Sequence, residues 1–84
     1  MAVIRDYNKL ASDILREVGG EENINSFSRC ATRLRLVLND TPADAKRLVQ
    51  GLPGVIAVVE SGGQFQVVIG THEADVFNAM SALL

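Results

Sequence analysis

Thr32-Arg33-Leu34-Arg35-Leu36-Val37-Leu38 places a leucine at every second position. In an extended chain successive side chains point to opposite faces, so Leu34, Leu36 and Leu38 share one face of a strand and Arg33, Arg35 and Val37 the other. One face is therefore core and the other is presented. A chain of 84 residues buries roughly 60–65% of its unfolded surface, enough for one domain over 1–84 to fold without staples.

Working outward, Tyr7, Leu10, Ala11, Ile14, Leu15 and Val18 recur at the spacing of an amphipathic helix, which Gly19-Gly20 stops. Asn23 to Ser28 is extended in character but alternates poorly, and reads as a short first strand. Thr41-Pro42-Ala43-Asp44 reads as an N-cap, a proline at the first helical position and an acid in the first turn. The second helix then carries Ala45, Leu48, Val49 and Leu52 on one stripe and ends at Pro53-Gly54. Val55 to Val59 and Phe65 to Ile69 are rich in β-branched residues and are joined across Ser61-Gly62-Gly63, which predicts a hairpin. Phe65, Val67 and Ile69 face one way, Gln64 and Gln66 the other. Gly70-Thr71 opens a third helix with Val76, Phe77, Met80, Leu83 and Leu84 as its buried stripe.

The predicted order is α-β-β-α-β-β-α. Two hairpins separated by a helix favour an α+β fold, a two-layer sandwich with a four-stranded, largely antiparallel sheet and three helices on one face. The face bearing Arg33, Arg35, Gln64 and Gln66 stays open.

Eight basic against ten acidic residues leave a net charge of −2, which argues against binding nucleic acid or an anionic membrane through bulk charge. Hydrophobic content of 48% supports a real core. Met1-Ala2-Val3-Ile4-Arg5-Asp6 lacks the apolar core of a signal peptide, and no apolar run approaches the ~18–20 residues of a membrane span. The chain is expected to be soluble, and its single cysteine fits a reducing, cytosolic setting.

That cysteine, Cys30, lies where Arg29, Arg33 and Arg35 crowd into seven positions, within a stretch from Asn23 to Asn39 that holds no acid. Cys30 shares parity with Leu34 and Leu36, so a strand running back to position 30 would bury the sulfur as an inert hydrophobe. Alternatively, residues 29–31 form the turn between the first two strands, which frees the thiol and nearby backbone N–H groups. The turn is preferred, because antiparallel strands need one and no glycine or proline supplies it. There, arginine charge favours thiolate, and N–H groups curved round an anion form a nest. A positioned nucleophile with donors for equatorial oxygens suits phosphoryl transfer.

Cys30-Ala31-Thr32-Arg33-Leu34-Arg35 resembles the C-x-T-R-L-R signature of the IIB domains of bacterial sugar phosphotransferase systems, in the glucose, glucosamine, sucrose and β-glucoside branch. The likeness extends to Val18-Gly19-Gly20, Asn23-Ile24, Leu52-Pro53-Gly54-Val55-Ile56 and Gly62-Gly63-Gln64-Phe65-Gln66-Val67-Val68-Ile69-Gly70, the last closest to β-glucoside and sucrose members. The resemblance implies a transferase component in which a IIA phosphohistidine passes its phosphoryl group to Cys30, and phosphocysteine passes it to a sugar bound by the membrane domain IIC. It implies that Arg33 and Arg35 orient the phosphoryl group, and that Thr32 and the turn amides, Ala31 among them, contact its oxygens. No metal, nucleotide or other cofactor is implied, because thiolate is itself a good leaving group. The implied partners are IIA, IIC and sugar, with transcriptional antiterminators as a further target of some relatives. The implied location is the cytoplasmic face of the cell membrane, through association or fusion with IIC. The family fold, four antiparallel strands with three helices on one side, agrees with the pattern.

Two other readings compete. A cysteine phosphatase uses C-x5-R after a histidine, whereas Arg33 and Arg35 stand at C-x2-R and C-x4-R with no preceding histidine. A non-enzymatic regulatory or interaction module with an arginine-bearing sheet face would need no reaction at Cys30. His72, the only histidine, is expected at the surface without a role. Gln66 either approaches the Cys30 loop or is a solvated sheet residue. Phe27 and Arg29 flank the loop, as a docking surface for IIA and IIC or, for Phe27, as ordinary packing.

Overall fold

The computed structural model describes residues 7–84, so the reading of Met1 to Asp6 lies outside the described residues. Seven elements follow the predicted order: α1 (Tyr7–Glu17), β1 (Ile24–Arg29), β2 (Arg33–Leu38), α2 (Ala45–Gln50), β3 (Ala57–Ser61), β4 (Gln64–Val68) and α3 (Glu73–Leu83). The strands lie in the order β1-β2-β4-β3, and every neighbouring pair is antiparallel.

The leucine alternation of β2 sets the layers. Leu34 pairs with Val67 and Leu36 with Phe65 across β4, and Val58 pairs with Val67 from β3, so these residues form one buried face. Leu10, Ala11, Ile14 and Val18 from the first helical segment, Ala45 and Val49 from α2, and Val76 and Met80 from α3 complete the core with them. Truncating Leu34 or Leu36, both fully buried, to alanine is expected to cost ~2–5 kcal/mol. On the other face, Arg35 pairs with Gln66 and Arg33 with Val68.

One local expectation is explained and three are corrected. The poor alternation of the first strand has a cause: the pairing shifts between Ile24 and Ser26, so Asn25 is bulged out on an edge strand. The second helix does not start at Thr41. Ala45 N–H bonds the Pro42 carbonyl as a turn, and the helix begins at Ala45 with Asp44 as an N-cap that makes no side-chain cap bond. With six residues it buries only Ala45 and Val49, leaving Leu48 38% exposed. The hairpin strands run Ala57–Ser61 and Gln64–Val68, pairing Ser61 with Gln64 round the two-residue turn Gly62-Gly63. In α3 the buried line is Glu73, Val76 and Met80. A glutamate therefore supplies the first-turn contact, and the line is complete before Leu83 and Leu84, which are 46% and 40% exposed.

Asn23 ties the end of the first helical segment to the end of β2. Its Nδ2 donates to the Val18 carbonyl at 2.7 Å and the Asp40 carbonyl at 2.6 Å, while its Oδ1 accepts from Asp40 N–H at 3.0 Å. Gly19 admits this side chain: at φ 103° a Cβ there would stand 2.8 Å from Asn23 Nδ2.

Candidate functional site

Cys30 sits in the connection between β1 and β2. Arg29 pairs with Leu34, and one further step of the same register sets Cys30 opposite Arg33, in keeping with the 3.0 Å bond from Cys30 N–H to the Arg33 carbonyl. The reversal is thus made by Ala31 and Thr32 alone, both exposed. Its consequence concerns parity. Residue counting along β2 puts Cys30 with Leu34 and Leu36, but the chain has turned, so Cys30 belongs to the alternation of β1 with Ser28, which pairs with Arg35 on the open face. The free thiol is partly exposed on the arginine side.

The turn is held from below. Thr32 carbonyl accepts two bonds of 2.9 Å, from Ile69 N–H and Gly70 N–H, where β4 hands over to α3. Partial burial opposes ionisation of Cys30, but backbone hydrogen bonds from Thr32 and Arg33, followed by the charges of Arg35 and Arg33, outweigh it and hold the thiol below the ordinary cysteine range. The local backbone therefore contributes before the arginines do.

The arginines divide by face. Arg33 Nη1 donates to Gln66 Oε1 at 2.7 Å, and Gln66 Nε2 donates to Gln64 Oε1 at 2.8 Å, a polar row across the open sheet. Arg35 is exposed, and its side chain has no hydrogen-bond or ion-pair partner among the described residues. Arg29 lies on the opposite face, with Leu34. Its Nη1 meets Glu73 Oε1 at 2.9 Å, and its guanidinium carbon stands 5.7 Å from the Phe77 ring centroid. The cluster of three arginines in the sequence is thus two arginines at the thiol and one committed elsewhere.

The remaining sequence candidates are also located. Phe27 is half-buried and stacks on Phe77 at 4.6 Å, so it packs. His72 is the exposed N-cap residue of α3, and its Nδ1 lies 2.9 Å from the Tyr7 hydroxyl. Gln66 meets the site through Arg33 and not through Cys30. Glu73, only 1% exposed, was missed, because an acid in a first helical turn ordinarily reads as a solvated partner of the helix dipole. Its i, i+3, i+7 spacing with Val76 and Met80 was the available signal.

A family model described as phosphotransferase system, EIIB matches residues 12–42, spanning the cysteine turn and its arginines. A β-glucoside-specific EIIBCA component of the phosphotransferase system from Dickeya chrysanthemi is 56% identical over 79 residues, covering 93% of this chain and 12% of that protein. A sucrose-specific EIIBC component from Bacillus subtilis is 42% identical over 77 residues, covering 90% of this chain and 17% of that protein. The crystal structure of one domain of the phosphotransferase IIabc component from Clostridium difficile matches with a TM-score of 0.78 at 31% identity, covering 93% of this chain and 81% of that one. The chain belongs to the IIB family of the bacterial sugar phosphotransferase system.

Within that family this IIB domain falls in the glucose, sucrose and β-glucoside branch. It spans 12% of the length of the β-glucoside relative. Among its described residues no helix is long and apolar enough to cross a membrane.

Proposed function

We propose that this IIB domain, acting as one unit over its 84 residues, carries a phosphoryl group on Cys30 between a IIA phosphohistidine and a sugar held by IIC. The observation that carries this reading is the partly exposed thiol at the edge of a two-residue turn, its pKa held down, against partial burial, by backbone bonds from Thr32 and Arg33 and by the charges of Arg35 and Arg33.

In the first half-reaction the Cys30 thiolate attacks phosphorus, the S–P bond forms, the N–P bond breaks, and the departing imidazole nitrogen keeps the bonding pair. In the second a sugar hydroxyl oxygen attacks phosphorus, the S–P bond breaks and thiolate leaves, while the hydroxyl proton passes to solvent. A depressed thiol pKa maintains the nucleophile for the first step and stabilises the leaving group in the second. Arg33 and Arg35 hold the equatorial oxygens as charge redistributes. The turn amides at Ala31 and Thr32 add donors for the same oxygens. Cys30 N–H is already engaged with Arg33 carbonyl, which restricts this role to the amides after it.

The coupling of B with C and A in the names of the relatives supports IIC and IIA as partners, and a location at the inner face of the membrane through association or fusion with IIC. Incubation with phosphorylated IIA is expected to give a phosphoryl adduct that mass spectrometry places on Cys30, absent from Cys30→Ser. An adduct on another residue, or none on the parent chain, would refute the assignment.

A further inference from the structure

Arg29 is the residue next to Cys30, yet it is turned away from it. Its side chain is 45% exposed, whereas that of Glu73 is 1% exposed, so the pair is asymmetric: one partner can reach water and the other cannot. Glu73 Oε1 is bound by Arg29, and its Oε2 is buried with no hydrogen-bond partner. Arg29 is therefore the cation that answers the buried carboxylate, and its departure would leave that charge uncompensated.

The position of this pair matters. Arg29 ends β1 just before the thiol, and Glu73 follows Gly70, whose N–H bonds the Thr32 carbonyl just after the thiol. A phosphoryl group on Cys30 would carry about two negative charges and attract any guanidinium within reach, arginine being suited to two-pronged contact with its oxygens. A third arginine settled on the loaded carrier would stabilise that ground state, and whatever part of the stabilisation the transition state does not share slows unloading. We propose that Glu73 is a positioning residue that anchors Arg29 on the helix face of the sheet and so keeps a third guanidinium off the anion carried at Cys30. The phosphoryl part of this inference rests on the function proposed above; the anchoring part does not.

Support comes from the strand pairing, which sets Arg35 on the face of Ser28 and Cys30 but Arg29 on the opposite face with Leu34. The charged or titratable groups at this end of the sheet, besides Cys30, are Arg29 from β1, Arg33 and Arg35 from β2, His72, Glu73 and Asp75 at the start of α3, and Tyr7 of α1, whose hydroxyl meets His72.

The test uses Glu73→Leu, which fills the buried space without a charge, Glu73→Gln, which keeps an acceptor for Arg29, and the double variant Arg29→Ala/Glu73→Leu. The first measurement is the equilibrium for phosphoryl exchange with IIA. Glu73→Leu is expected to shift it about tenfold toward the phosphorylated chain, the worth of one added charge-assisted contact. Glu73→Gln shifts it less, and the double variant returns to within about twofold of the parent. The second measurement is the pH midpoint for alkylation of Cys30, which moves lower in Glu73→Leu and returns in the double variant. A merely structural role for Glu73 would move neither quantity in an Arg29-dependent way. An unchanged or raised midpoint in Glu73→Leu, or a shift that persists without Arg29, overturns the anchoring. If the parent chain accepts no phosphoryl group, the function proposed above fails, and the alkylation midpoint still decides the anchoring.

Discussion

Replacing Arg29 with alanine should destabilise the domain far more than its position beside a surface turn implies. Glu73 is 1% exposed and Arg29 45% exposed, with 2.9 Å between Nη1 and Oε1. An exposed ion pair is worth ~0.2–1 kcal/mol, whereas removing one partner of a fully buried pair costs about 3–5 kcal/mol. Here the stranded partner is the buried one, while the lost partner was half solvated. The expected cost lies between these limits, ~2–3 kcal/mol. For a domain of this size that corresponds to a fall in Tm of about 8–24 °C. Urea and thermal unfolding followed by circular dichroism measure it directly. Arg29→Met, which keeps the apolar stem over Phe77, should remain destabilised, because the stranded charge and not the lost stacking dominates. Adding Glu73→Leu to Arg29→Ala should recover most of the loss. A loss below about 0.5 kcal/mol in Arg29→Ala, or no recovery in the double variant, would show that Glu73 does not depend on Arg29.

Arg35→Ala should raise the pH midpoint of Cys30 alkylation, and Arg33→Ala should do so less, following the order of their charge effects. Because the folded thiol lies below its unfolded value, the unfolded chain binds more protons between the two; stability relative to Cys30→Ser should therefore rise with pH through that window and fall as pH drops through the folded value, as pH-dependent urea melts would register. Gln66→Ala removes the 2.7 Å acceptor that holds Arg33, and should slow sugar phosphorylation more than phosphoryl acceptance from IIA, on the reading that Arg33 serves delivery; equal loss of both half-reactions contradicts it. Gly70→Ala should cost more than ~1 kcal/mol, since Gly70 has φ 92° and a Cβ would meet Ile56 Cδ1 at 3.2 Å. Chemical denaturation of that variant, paired with alkylation of Cys30, should show the turn loosening with it.

The two-layer fold was legible because its information is local. Period-2 leucines in β2 (Arg33–Leu38), helical spacing from Tyr7 to Val18 and the Gly62-Gly63 turn each declare an element within a few residues. Where a local signal had a competitor, the reading slipped: Thr41-Pro42 looks like a helix start, but Pro42 carbonyl closes a turn onto Ala45 N–H and delays it. At the site, the sequence grouped Cys30 with Arg33 and Arg35 and favoured a turn over residues 29–31, which the strand pairing moves to Ala31 and Thr32.

The face on which Cys30 lies and the fate of Arg29 needed the tertiary structure. Parity along a strand has no meaning across a reversal, so only the pairing of Arg29 with Leu34 and Ser28 with Arg35 sets the thiol on the arginine face. Likewise, charge clustering in the sequence counted Arg29 with the site, while its partner Glu73 stands 44 residues away. By itself the sequence determined which side chains alternate and which recur, since those patterns follow from backbone geometry within a single element. Only the folded chain decided which charges meet, because a buried carboxylate selects its cation by proximity in space.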